Sequence, residues 1–254
     1  MGQHKRLDPS KPKQLAGGFC ALGIMTKAPE SGKVKTRLTP PLTPEESAGL
    51  NKCFLRDIAR SIEAAALESP ARGVGVYTPV GAELAYAEIL PADFLLLAQR
   101  GNDFGERLLL AAEDLFKIGF ASVCLINSDS PTVAASSFVE AARILAEPAD
   151  RVVLGPSDDG GYYLIGLKTL HQRLFEEIEW STERVLEQTT ARARELGLKV
   201  HLLPNGFDVD DAATLHRLCE EVLGVNARKG TAPNTQSFLA QIVEREGRHR
   251  IWPI

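Results

Sequence analysis

Four clusters in this chain join residue types that do chemistry to spacings that could bring them together. The first is Lys27, Lys33, Lys35 and Arg37, three lysines and one arginine within eleven residues punctuated by Pro29 and Gly32. Compact ammonium charges beside a forked guanidinium suit the oxygens of a polyphosphate. A solvated charged loop is the plainer reading of the same composition. The Gly-x-x-x-x-Gly-Lys-Ser/Thr spacing is absent, so this is not a Walker loop. The second cluster is Asn127-Ser128-Asp129-Ser130-Pro131, which follows the apolar run Val123-Cys124-Leu125-Ile126 directly. A carboxylate delivered there by a buried strand is well placed to hold a metal. The third, Ser157-Asp158-Asp159-Gly160-Gly161-Tyr162, sets two acids beside two glycines. Glycines let a ligand approach the backbone, and the acids could bind a metal or accept hydrogen bonds from sugar hydroxyls. The same residues are what a tight hairpin demands. In the fourth, Phe207-Asp208-Val209-Asp210-Asp211, metal binding competes with capping of the helix that follows.

The elements that must position these clusters alternate between strand and helix. Phe19 to Met25 reads as a first strand. Leu50, Phe54, Ile58 and Ile62 recur every four residues, which predicts a helix over about 45–67 with Thr43-Pro44 at its start. Strands are expected at 73–78, 94–98, 123–126, 151–154 and 199–203, with a further one entered after Gly161. Helices are expected at 82–90, up to about Ile118 after the polar turn 99–107, at 136–145, 183–196, 212–222 and 235–246. Trp180-Ser181-Thr182 precedes one of them, with Ser181 as its candidate cap. The four-residue apolar run before Asp129 suits a strand buried on both faces, as in a parallel sheet.

Composition excludes several partners. The chain has 254 residues, 44% apolar and 24% charged, with a formal net charge of -4. That balance gives no broad electrostatic footprint for polymeric nucleic acid or an anionic membrane. No apolar run reaches the ~20 residues of a membrane span, and the basic, Pro-rich start lacks the apolar centre of a signal peptide. A cytoplasmic location is the expectation. Cys20, Cys53, Cys124 and Cys219 are far apart with no Cys-x-x-Cys pair and read as reduced core residues. Residues 1–15 read as a disordered leader, and 16–254 as one domain.

Taken in order over about residues 18 to 245, these motifs resemble the bacterial DUF2064 family, glycosyltransferase-like proteins of the GT-A, or nucleotide-diphospho-sugar transferase, superfamily. The motifs are the basic loop, Asn-Ser-Asp-Ser-Pro, Asp-Asp-Gly-Gly-Tyr-Tyr-Leu-Ile-Gly-Leu, Trp-Ser-Thr and Asp-Val-Asp-Asp. Lys35-Thr36-Arg37-Leu38 also looks like the Lys-Ser-Arg-Leu of the 2-phospho-lactate guanylyltransferases. The chain departs from the family at Asn127, where Gly is frequent; Asn's tolerance of left-handed backbone would accommodate the change.

The resemblance implies an α/β protein: a three-layer, Rossmann-like, open mixed sheet, mostly parallel, with a nucleotide half first and an acceptor half after it. It also implies a Mg²⁺ or Mn²⁺ site at Asp129 and Asp210, with Asp208 as a close alternative. On this reading Lys27, Lys33, Lys35 and Arg37 bind the nucleotide, and Lys35, Arg37 and Asp129 are catalytic. Asp158, Asp159, Gly160, Gly161, Tyr162 and Trp180 form the pocket of a small-molecule acceptor. The favoured reaction is nucleotidyl transfer from a nucleoside triphosphate to a small phosphorylated or sugar acceptor. Glycosyl transfer from a nucleotide-sugar is the alternative, and a nucleotide-binding relative without catalysis a further one.

Overall fold

Short β-branched and leucine-rich runs, separated by amphipathic segments, form eight strands and six α-helices in the computed structural model, which describes residues 4–15 and 17–252. In chain order the elements are β1 (Lys5–Arg6), β2 (Cys20–Lys27), α1 (Pro44–Glu68), β3 (Ala71–Thr78), β4 (Leu95–Ala98), α2 (Phe104–Ile118), β5 (Ser122–Ile126), α3 (Ala135–Ala146), β6 (Arg151–Pro156), β7 (Tyr162–Leu167), α4 (Val185–Glu195), β8 (Lys199–Leu202), α5 (Ala212–Leu223) and α6 (Pro233–Glu246). Helix α1 starts where local chemistry directs: Thr43 and Glu46 form a reciprocal capping box and Pro44 takes the first turn. Its predicted stripe of Leu50, Phe54, Ile58 and Ile62 is buried throughout.

The strands make one sheet in the order β1-β4-β3-β2-β5-β7-β6-β8. Every pairing is parallel except those of β7, which runs antiparallel to both β5 and β6. This is the mostly parallel mixed sheet expected. Side chains of β5 alternate between two apolar layers. Val123 and Leu125 pack with Leu108 and Leu115 of α2, while Cys124 and Ile126 pack with Ile58 of α1 and Phe138 of α3. A third cluster joins Leu38, Leu50 and Phe54 to α5 and α6. All four cysteines are buried and free.

The chain reverses its direction of growth across the sheet between β2 and β5, so their carboxyl ends flank the crevice where open α/β sheets bind ligands. Because β7 is antiparallel, its amino end lies at that same edge. The basic loop after β2, the Asp129 loop after β5, the Asp159 turn before β7 and the acids after β8 are therefore gathered at one rim by topology alone.

Two expectations are corrected here. Residues 82–90 form a 3-10 turn over Glu83–Tyr86 rather than a helix; the segment is too short, between Gly81 and Pro91, to repay helix nucleation. The leader is not disordered over residues 4–15. Lys5 and Arg6 pair with Leu95 and Leu96 of β4, and Leu7 is buried. One apolar side chain and an open sheet edge supply what the composition did not advertise; residues 1–3 lie outside the described residues.

Candidate functional site

The loop after β2 carries Lys35 in a left-handed conformation (φ 50°), which starts a 3-10 turn over Thr36–Leu38. Leu38, fully buried, anchors that turn. The Lys35 side chain consequently points inward and is 5% exposed. Its Nζ lies 2.6 Å from Asp129 Oδ1, 3.0 Å from Asp210 Oδ1 and 2.8 Å from the Val209 carbonyl, so each of its three N–H groups has a partner. Burial works to lower the Lys35 pKa, but Asp129 and Asp210 outweigh it and the net shift is upward. Arg37, largely exposed, donates from Nη2 to Asp210 Oδ2 at 2.7 Å. Lys33 pairs with Glu30 at 2.6 Å, and Lys27 is exposed.

Asp129 and the Asp208–Asp210 segment are tied through the main chain, Val209 N–H donating to the Asp129 carbonyl at 2.9 Å. The competition between capping and ligation is divided among the three acids. Asp211 caps α5, its Oδ1 accepting from Thr214 N at 2.9 Å, which leaves Asp208 and Asp210 for the site. Asp208 Oδ1 accepts from Ser130 Oγ at 2.6 Å, Asn127 Nδ2 at 2.8 Å and Ser157 Oγ at 3.1 Å. Burial nevertheless pushes the Asp208 carboxyl up to about 6, with Asp129 and Asp159 adding and the Ser130 and Asn127 hydrogen bonds opposing. Asn127 does not occupy the left-handed region. Its amide instead orients two acids, Nδ2 holding Asp208 and Oδ1 accepting from Asp129 N at 3.3 Å.

Asp129 and Asp210 stand where two cavities meet. A cleft of about 610 Å³ is lined by Asp159, Gly161, Tyr162, Trp180 and Asp208 among others. A smaller cavity of about 230 Å³ is lined by Lys27, Lys33, Lys35 and Arg37. Both share Arg37, Ser128, Asp129 and Asp210. The Asp159 turn is a hairpin joining β6 to β7, so the turn chemistry and the site chemistry coexist in one segment. Asp159 Oδ1 is held by Gly161 N–H at 2.9 Å.

Two of the expected acceptor residues do not line the cleft. Asp158 bonds Asn205 and Arg217 instead. Gly160 (φ 85°) packs its backbone against Glu183, where a Cβ would fall 2.1 Å from a carbonyl oxygen, and its own carbonyl accepts from Leu186 N at 2.9 Å. Tyr162 contributes its ring, while its hydroxyl is buried with no partner and burial holds its pKa well above the ordinary value. Ser181 is not the cap of α4. It takes a left-handed φ of 64°, and Thr182 Oγ1 accepts from Arg184 N at 3.3 Å.

Trp180 meets Phe104 edge to face, ring centroids 5.4 Å apart. Phe104 is 50% exposed and lines the cleft, yet the sequence reading did not single it out. Its signal was an aromatic at the first position of a helix, followed by a glycine. A Cβ on Gly105 would lie 2.2 Å from Trp180 Nε1, so only glycine admits the indole. Thr182 and Glu183, also on the rim, were likewise not anticipated as lining residues.

Asp129 and Asp210 offer the oxygen donors that a hard divalent cation takes, and cationic side chains hold them in this structure. Asp129 Oδ1 and Asp210 Oδ1 converge on one point, which the Lys35 ammonium holds. Among the described residues no group of three or more His, Cys, Asp or Glu could cage a metal. Mg²⁺ accepts such a sparse site, taking one or two carboxylates and completing its shell with phosphate oxygens and water.

The fold is that of the nucleotide-diphospho-sugar transferases. It is shared over 91% of this chain and 99% of a protein of Desulfovibrio desulfuricans G20 provisionally described as one of them, with 28% identity and a TM-score of 0.78. Within that class, residues 61–182 match the model of the DUF2064 family, described as an uncharacterized protein conserved in bacteria. The resemblance read from the motifs is borne out over that segment, which includes Asp129 and Trp180. A CMP:2-keto-3-deoxy-manno-octonic acid synthetase, solved with CTP, shares the fold at 11% identity and a TM-score of 0.51, over 79% of this chain and 97% of its own. No curated protein matches the sequence. No helix among the described residues is long and apolar enough to cross a membrane.

Proposed function

We propose that the chain is a metal-dependent transferase that uses a nucleotide substrate, with residues 16–254 acting as one catalytic unit. The observation that carries this reading is the position of Asp129 and Asp210, converging between a cation-lined cavity and an acidic, aromatic cleft. A phosphate chain suits the first and a hydroxyl-bearing acceptor the second. The acids lining the cleft favour a sugar hydroxyl over an acceptor phosphate as nucleophile, since like charges there would repel.

Nucleotidyl transfer is the favoured reaction. Lys33 and Arg37 face the cavity that would take the outer phosphates of a triphosphate, and fixed cations stabilise the charge that develops on leaving pyrophosphate. Asp129 and Asp210 would hold the divalent ion, which supplies Lewis-acid stabilisation of the reacting phosphoryl group. Lys35, balanced between these two acids, keeps their charge compensated and their oxygens aimed at one point. Asp159 accepts from the acceptor hydroxyl and orients it. Glycosyl transfer from a nucleotide-sugar is the second reading, favoured by the description of the Desulfovibrio desulfuricans G20 relative.

The test is a turnover screen of nucleoside triphosphates and nucleotide-sugars with Mn²⁺ across sugar acceptors, scoring pyrophosphate and nucleoside diphosphate. Wild type is expected to release pyrophosphate, and Lys35→Ala and Asp129→Asn to lose at least about a hundredfold in that activity. Release of nucleoside diphosphate alone, unaffected by Lys35→Ala, would replace nucleotidyl with glycosyl transfer. Tight nucleotide binding with no turnover on any acceptor would reduce the protein to a binding relative.

A further inference from the structure

Helix α1 turns one polar side chain into the cation-lined cavity. Asn51 is 3% exposed and sits one turn after Ser47, among Leu50, Phe54 and Leu55, none of which is exposed at all. An apolar residue would suit that environment and the helix better, since Asn is a poor helix former. Ser47, also buried, has a partner in Thr39, with the hydroxyl oxygens 3.0 Å apart. Asn51 Oδ1 has none. A buried polar atom left without a partner is costly, and such orphans in a folded protein ask for a specific explanation.

The other end of the same amide belongs to a residue that lines a ligand-sized cavity. Asn51 borders the same cavity of about 230 Å³ as Lys33, Lys35 and Arg37. A ligand drawn into a cavity with this charge is an anion, and an anion offers only acceptors. A primary amide can meet it: Asn51 Oδ1 is the sealed end, and Nδ2 is the end left to donate to a ligand. We propose that Asn51 is a binding residue for the polyphosphate tail of the substrate, donating its side-chain NH₂ to a phosphate oxygen seated between α1 and the Lys33–Arg37 loop. This rests on the assignment of that loop to phosphate. Lysines and arginines attract any anion, whereas a neutral, buried amide on a rigid helix fixes where one oxygen must lie. Asn51 therefore adds position to a site whose other members add charge.

The experiment measures inorganic pyrophosphate binding by calorimetry, with Mg²⁺ present, to wild type, Asn51→Leu, Asn51→Ala and Arg37→Ala, alongside the melting temperature of each. The expected result is a loss of about tenfold or more in pyrophosphate affinity for Asn51→Leu, the size of one lost hydrogen bond to a charged group. Its melting temperature should equal or exceed that of wild type, because an orphaned polar group has been replaced by an apolar one. Asn51→Ala should show the same loss of affinity. Pyrophosphate affinity within twofold of wild type in both variants would overturn the proposal, as would failure of both to fold, which would make Asn51 structural. If wild type itself does not bind pyrophosphate, and Arg37→Ala changes nothing, the phosphate assignment of the loop fails first and takes this inference with it.

Discussion

A buried ammonium with three partners is an unusual use of a loop lysine, and it changes what Lys35 does. With its N–H groups committed to Asp129, Asp210 and the Val209 carbonyl, it neutralises the acids and locks the basic loop to the segment after β8. Arg37 and Lys33 remain the outer cations. The sequence showed which residues were basic and which acidic, but not that one base would be spent inside the site, because that depends on the left-handed turn at Lys35 and the anchoring of Leu38. The paired glycines were similarly visible without their division of labour. Gly160 has a positive φ and no room for a Cβ, while Gly161 would place a Cβ 3.2 Å from Asp159 Oδ1. Gly160→Ala should therefore destabilise the fold by about 2 kcal/mol or more. Gly161→Ala should leave the melting temperature near wild type and raise the acceptor KM by displacing Asp159. Equal melting temperatures for the two variants would contradict this assignment.

Element existence was legible because every strand but β1, and most helices, carry their own period and punctuation, and element ends were legible where capping residues stood in sequence. Asp211 and Thr43 are examples. What could not be read was which long-range partner completes an element. Glu46 closes the capping box of α1, accepting from Thr43 N at 2.9 Å, and is also gripped by Arg250 and, at 2.6 Å, by Arg245. Burial would raise the Glu46 pKa, but the hydrogen bonds from Arg250 and Thr43 more than reverse it and hold it below its ordinary value of 4.5. A carboxyl with a lowered folded pKa contributes stability that is fully present above its unfolded pKa and is lost as pH falls through the folded one. Glu46→Gln should thus cost about 2 kcal/mol at pH 7, in the range of charge-assisted hydrogen bonds. The gap between variant and wild type should close as pH drops below about 4. Urea melts of both proteins across that range measure it; a constant gap would mean that charge is not what Arg250 and Arg245 recognise.

At the scale of the whole molecule, the site exists because one antiparallel strand returns its amino end to a rim otherwise built from carboxyl ends. The apolar run before Asp129 and the family resemblance predicted a mostly parallel sheet, and the position of Asp129 at a strand's carboxyl end predicted its ligand-binding rim. The edge was not predicted, since β1 has two residues and no period of its own. Its hold on the sheet comes from Leu7, 6% exposed, whose N–H donates to the Leu96 carbonyl at 2.8 Å, and from His4, whose Nε2 lies 2.9 Å from the Pro91 carbonyl. This segment covers β4, which would otherwise offer a leucine-rich strand with unpaired backbone groups, the geometry that invites edge-to-edge association. Leu7→Ala removes most of the apolar anchor at a cost of about 2–3 kcal/mol, near the low end for buried leucines because the site is peripheral. The variant should melt several degrees lower than wild type and should scatter light in proportion to its concentration well below that melting point. Nucleotide binding should persist, since the loop after β2 and the acids after β5 and β8 do not touch β1. A variant that melts with wild type and stays monodisperse would show that β4 tolerates an open edge, and that the leader is an addition to the sheet rather than a cover for it.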